Sequence, residues 1–163
     1  MSLLTIRADD VAPVPWKNGG GITRDLLLWP RADALRVRLS LADITQDGPF
    51  SPYPGVTRWF AVIEGAGVEL QFASGSRLQR QADAPLCFDG ADAPGCRLLD
   101  GMTRDLNVLL HGGARGTLQQ GPHFDEDWPL RGRFDRSTRT LLWNLPPGAL
   151  HGPADSLWIG VAP

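Results

Sequence analysis

Lys17, Asn18 and Arg24 surround three consecutive glycines in Pro15-Trp16-Lys17-Asn18-Gly19-Gly20-Gly21-Ile22-Thr23-Arg24-Asp25. Two cations, an amide and the flat face of Trp16 are thus close together in sequence. Glycines beside a lysine raise phosphate binding first. A phosphate loop, however, places its lysine after the glycines and opens a helix, whereas here Lys17 precedes them and β-branched, leucine-rich sequence follows. The dinucleotide-binding spacing GxGxxG is also not met. The glycines read instead as a positive-φ turn or bulge that leads into a strand. If Thr23 to Leu28 is that strand, then Thr23, Asp25 and Leu27 share one face, and Arg24 shares the other with Leu26 and Leu28. An arginine on an apolar face either meets an internal carboxylate or reaches into a ligand cavity.

A second grouping is Thr103-Arg104-Asp105-Leu106-Asn107-Val108-Leu109-Leu110. Period two puts Asp105 and Asn107 side by side and sets Leu106, Val108 and Leu110 on the opposite face. The polar pair is either a solvated strand surface or a ligand contact that could also satisfy Arg24 or Lys17. A third grouping runs from Asp47 to Arg58, where prolines 49, 52 and 54 and glycines 48 and 55 stiffen the chain. Such a loop holds Phe50 and Tyr53 in place with little entropy to lose, just before a strand that Arg58 opens.

Metal chemistry has little to work with. The histidines are His111, His123 and His151, the cysteines are Cys87 and Cys96, and no HxH, HExxH or CxxC occurs. The expectation is therefore no metal and no cofactor. A serine hydrolase lacks its GxSxG, and Cys87, between Leu86 and Phe88 in an expected strand, reads as a buried inert thiol.

The elements that position these groups are short strands. Leu35 to Leu41 alternates leucine and valine with polar residues, the period of a strand with one buried face. Arg58 to Ile63 and Val68 to Phe72 flank Glu64-Gly65-Ala66-Gly67, which reads as a hairpin. Further strands are expected at 86–88, 97–99, 103–110, 138–143 and 157–161. The turn-rich region from Gly112 to Arg136 reads as surface excursions. Strands at intervals of roughly 8 to 12 residues point to an all-β sandwich or barrel.

The chain of 163 residues suits one domain over 1–163. With 16 Lys+Arg against 18 Asp+Glu, the net charge of -2 offers no footprint for nucleic acid or an anionic membrane. No apolar run approaches the roughly 20 residues that a membrane helix needs. The start MSLLTIRADD has no signal-peptide pattern, so a cytoplasmic protein with reduced thiols and a small-molecule partner is expected.

PWKNGGGITRD, the strand ending Leu41-Ala42-Asp43-Ile44, DGPFSPYPGVTRWFAVIEGAGVEL, PLCFDG and TRDLNVLL occur in that order. Together they resemble the HutD/Ves family of small bacterial proteins over most of residues 12–112. The resemblance implies a cupin-type (RmlC-like) β-barrel or sandwich, open to a compact bicupin in which both halves are cupin-like. A homodimer is an expectation at the level of the family and of cupins. HutD proteins are associated with histidine utilisation, as a brake that binds an intermediate such as urocanate or N-formylglutamate. Ves proteins are linked to cold and stress responses. On the first reading Arg24, Lys17 or Arg58 binds the ligand carboxylate, Trp16 or Phe50 stacks on a ring, and Asp105, Asn107 and Asn18 supply polar contacts. The alternatives are a metal-independent isomerase or hydrolase with Asp105 or Asp89 as general base, and a protein-interaction module of the stress response.

Overall fold

The computed structural model describes residues 2–163. A six-stranded antiparallel sheet forms its middle, in the spatial order Val14–Pro15, Gly21–Trp29, Val37–Ile44, Thr103–Leu110, Thr57–Glu64 and Leu86–Asp89. Val37–Ile44 and Thr103–Leu110 pair along their whole length, with Ser40 opposite Asn107 and Leu41 opposite Leu106. Residues directly opposite share a face. One face therefore carries Arg38, Ser40, Asp105, Asn107 and Arg58, and the other carries Leu39, Leu41, Leu106 and Val108.

The apolar face packs on a five-stranded sheet ordered Leu4–Arg7, Thr140–Trp143, Leu130–Asp135, Leu157–Ala162 and Arg115–Gln120. Phe134, Trp143, Leu157 and Ile159 close this core from the far side, and all four are fully buried. Each completely buried leucine in it contributes about 1.5–3 kcal/mol. On the polar face, Ile44, Phe60 and Val62 meet Val68, Leu70 and Cys96 of a four-stranded sheet. That sheet is ordered Gly48–Pro49, Gly95–Leu98, Val68–Phe72 and Gly75–Gln79. The central sheet thus serves two cores. The second core covers only part of the polar face, and the uncovered part holds the cavity described below.

Four sequence expectations need correction. Among the described residues every sheet is open, so of the expected sandwich or barrel the layered sandwich is what forms and the closed barrel does not. Thr57–Glu64 and Val68–Phe72 do not form a hairpin; the first pairs with Thr103–Leu110 and Leu86–Asp89, the second with Gly95–Leu98 and Gly75–Gln79. The glycines between them carry the chain from one sheet to the other. A Cβ on Gly65 would lie 2.4 Å from the Met102 carbonyl oxygen and one on Gly67 2.3 Å from that of Gln79, and both residues have positive φ.

The region 112–136 is not a set of surface excursions. It holds Arg115–Gln120 and Leu130–Asp135, the latter in the centre of the five-stranded sheet. Arginines disguised it. Arg131 is buried because its guanidinium binds the carbonyls of Gly148 at 2.8 Å and of Pro146, while Leu130 and Phe134 enter the core. Finally, a bulge between Asp25 and Leu27 breaks the period-two pattern of Gly21–Trp29. Leu27 therefore stands opposite Leu39 on the apolar face, and Leu26 and Leu27 are both buried.

Candidate functional site

A cavity of about 500 Å³ opens on the polar face of the central sheet. Its floor comes from the three adjacent strands that carry Arg38 and Ser40, Asp105 and Asn107, and Arg58. Its rim comes from the loops that carry Trp16, Lys17 and Asn18 and Phe50 and Tyr53.

The glycine stretch shapes the first rim loop. Gly19 takes φ +76 and closes a turn by donating to the Trp16 carbonyl at 3.1 Å. Asn18 spends its side-chain oxygen on the Gly20 amide at 2.8 Å. Gly21 permits close contact: a Cβ there would lie 2.3 Å from the Asp43 carbonyl oxygen and 3.2 Å from the Trp16 ring. The indole is then fixed by its own donor, Nε1 to Thr23 Oγ1 at 2.7 Å. These contacts leave Trp16 as one wall of the cavity and Lys17 exposed at its lip.

Arg58 lies deep in the site and is 6% exposed. Its guanidinium carbon stands 4.9 Å from the Phe50 ring centre, 5.3 Å from Phe88 and 5.6 Å from Tyr53, within reach of cation–π attraction to all three. Nη2 donates to Asn107 Oδ1 at 2.8 Å, and Asn107 Nδ2 donates to Asp105 Oδ2 at 2.5 Å. Arg58 Nε and Asp105 Oδ1 are buried with no hydrogen-bond partner among the described residues. Burial pushes the Asp105 carboxyl up to about 7, against the pull of Asn107 and Arg58 and with Asp43 adding to the rise. Burial likewise holds the Arg58 guanidinium below its ordinary value, opposed by Asp105.

Arg38 stands on the neighbouring strand, its Nε donating to Asp25 Oδ1 at 2.8 Å. Burial works against its charge, but the hydrogen bond and charge of Asp25 outweigh it, and Arg38 lies above its ordinary value. The cavity therefore gathers three cations, Lys17, Arg38 and Arg58, against Asp25 and an Asp105 that ionises only near neutrality. An anion is the complementary ligand.

Of the residues singled out in the sequence, Trp16, Lys17, Asn18, Phe50, Arg58, Asp105 and Asn107 all line this cavity. Arg24 does not. It follows the other alternative open to it and lies 3.6 Å from Asp43, which Arg104 binds at 2.6 and 3.1 Å. Arg104 also meets Glu64, and Arg139 joins Glu64 to Asp9, so Arg24 belongs to an ion network on the opposite face. Asp89 is outside the cavity lining as well, its carboxylate accepting from the Ala91 amide at 2.9 Å.

Sequence reasoning did not single out Arg38, Asp25 or Ser40. Period two put Arg38 and Ser40 on the polar side of their strand, which resembled a solvent face. Only the loops that carry Trp16 to Asn18 and Phe50 to Tyr53, together with the four-stranded sheet, enclose that side.

Among the described residues no group of three or more His, Cys, Asp or Glu could hold a metal ion. Burial raises the Cys96 thiol to about 12, with Asp105 and Asp47 adding to it; Cys87, expected to be buried, is exposed, and partial desolvation raises its thiol too. Neither is activated as a thiolate. No helix of the described residues is long and apolar enough to cross a membrane.

Residues 8–130 match the HutD family model. Over 110 residues the chain is 37% identical to an uncharacterized 21.2 kDa protein in the hutC 3′ region of Pseudomonas putida, covering 66% of this chain and 57% of that one. It is 32% identical over 105 residues to protein Ves of Citrobacter koseri, covering 61% and 55%. The chain thus spans little more than half the length of these curated relatives. Its backbone is similar to that of HutD from Pseudomonas fluorescens SBW25 (formate condition), with a TM-score of 0.83 and 27% identity over 99% of this chain and 98% of that one. The fold alone is also similar to that of protein Ylba from E. coli, with a TM-score of 0.69 and 9% identity over 99% of this chain and 91% of that one.

Proposed function

The chain belongs to the HutD family, and on that premise we propose that its cavity binds a small carboxylate of histidine breakdown and that occupancy modulates the pathway without turnover. The observation that carries this reading is the pair Arg38 and Arg58 on one sheet face, inside a cavity of about 500 Å³. That volume suits a small metabolite. Urocanate and N-formylglutamate both fit the chemistry. A carboxylate meets the guanidinium groups and Lys17, an imidazole or formamido group meets Asp105 and Asn107, and a planar ring rests on Trp16 or Phe50. Side chains alone supply these contacts, with no metal.

The same reading includes one domain over 1–163, a cytoplasmic location and a homodimer. A compact bicupin is supported by the central sheet, which gives one face to each of two cores.

One observation favours a second reading. A buried carboxyl that titrates near 7 is suited to general acid–base work, so a metal-independent isomerase or hydrolase with Asp105 as base is the competing function. Incubation with urocanate and with N-formylglutamate, followed by proton NMR, separates the two. Ligand resonances that broaden or show saturation transfer without new products support a binder. Product resonances that vanish in Asp105→Asn support the enzyme instead.

A further inference from the structure

Three side chains in a row fix where a proton must sit. Arginine has donors only, so Asn107 turns its oxygen to Arg58 and its NH2 group to Asp105 Oδ2. Oδ2 is then an acceptor whatever the charge of Asp105. When the carboxyl is neutral its hydrogen belongs on Oδ1. That oxygen is buried and has no partner among the described residues, and Asp105 lines the cavity, so an occupant seated against it would satisfy it.

The surrounding charges decide which occupant. Arg58 on Thr57–Glu64 and Arg38 on Val37–Ile44 face the cavity beside Asp105, and Asp25 on Gly21–Trp29 is held by Arg38. Lys17 is at the lip. Asp43 acts from the other face of the sheet. The Cys96 thiol packs from Gly95–Leu98 and feels both Asp105 and Asp47. No ion pair joins Asp105 directly to Arg58 among the described residues; Asn107 intervenes. A ligand carboxylate set against the two guanidinium groups therefore lies next to Asp105. Two adjacent carboxylates in a buried site do not both stay ionised. Burial already pushes Asp105 up to about 7, so it is the one that takes the proton.

We propose that Asp105 engages the bound carboxylate as a neutral carboxylic acid that donates from Oδ1, so that filling the cavity draws a proton from bulk solvent onto the protein. The inference rests on the carboxylate-binding reading above and adds a direction to it. A ligand that instead donated an N–H to an ionised Asp105 would expel a proton.

Calorimetric titration at pH 7.5 in phosphate and in Tris, whose ionisation heats differ, measures the exchange. The probes are trans-urocanate and N-formyl-L-glutamate. The expected result is uptake of about 0.5–0.8 proton per site, with affinity weakening up to about tenfold per pH unit above 7. In Asp105→Asn, which has no carboxyl to protonate, the binding that remains proceeds without uptake. Binding with no proton exchange, with proton release, or with undiminished uptake in Asp105→Asn overturns the inference and leaves the carboxylate reading standing. No binding of either probe overturns both. Should Asp105→Asn fail to fold or to bind, the carboxyl carbon resonance of Asp105 in the wild-type protein decides. It must move to the neutral-acid position on saturation, and a carboxylate position in the complex contradicts the inference.

Discussion

Arg58 stands opposite Leu109 and diagonal to Asn107 on the same sheet face, and the guanidinium donates to the amide oxygen across 2.8 Å with both residues almost wholly buried. The contact orients the Asn107 amide and through it Asp105. Asn107→Leu removes both hydrogen bonds and orphans Arg58 Nη2 and Asp105 Oδ2. The expected loss is about 1–3 kcal/mol for each orphaned group. Urea denaturation near neutral pH measures it, and a variant as stable as the parent would show that the chain of contacts carries no such weight.

Arg24→Ala should leave ligand affinity unchanged. Its side chain is about one-fifth exposed, and Asp43 keeps both contacts to Arg104 when Arg24 is gone. A partly screened pair of this kind contributes about 0.2–1 kcal/mol. A small shift in thermal midpoint with an unaltered binding isotherm is the expected outcome. A tenfold loss of affinity would return Arg24 to the site.

Gly21→Ala should be the harmful substitution in the glycine stretch. The added Cβ meets the Asp43 carbonyl oxygen, which is backbone in the central sheet and cannot move aside. Overpacking of this kind costs about 1–3 kcal/mol. At Gly20 the nearest atom is Asn18 Oδ1 at 3.1 Å, the end of a side chain that can rotate. Denaturation midpoints should therefore rank Gly21→Ala well below Gly20→Ala.

Stability should carry the signature of Asp105. Its folded pKa of about 7 lies above the ordinary 3.8, so the folded state binds more protons than the unfolded state between roughly pH 4 and 7. The contribution of this group is fully present below pH 4, falls as pH rises through that window, and is lost above pH 7. Asp105→Asn should remove the decline. Chemical denaturation of parent and variant at pH 5 and pH 8 isolates the difference: the variant gains relative to the parent at pH 8, and equal gaps at both pH values would contradict the assignment.

Much of the site was legible because period two is a strong signal. Asp105 and Asn107 on one side of an apolar strand, and a stiff proline loop presenting Phe50, survive translation into structure. Faces beyond a single strand were harder. Arg38 looked like a solvent residue because nothing local says which neighbour will cover it. A single extra residue at the Asp25–Leu27 bulge reversed the face on which Leu27 falls. Leu130–Asp135 was hidden for a related reason: Arg131 reads as exposed until the carbonyls that satisfy it are brought in from residues 146 and 148. Chain crossing between sheets at Gly65 and Gly67 mimics a hairpin, since glycines serve close approach and tight turns alike.

The carboxylate site itself is tested most directly by titration calorimetry with trans-urocanate and N-formyl-L-glutamate, on the parent protein and on Arg38→Ala, at pH 6.5. The account predicts saturable 1:1 binding of at least one ligand and a loss of about tenfold or more in Arg38→Ala, as expected when a charged hydrogen bond worth about 1.5–3 kcal/mol is removed. Absence of a binding heat for both ligands at millimolar concentration, or unchanged affinity in Arg38→Ala, would contradict it.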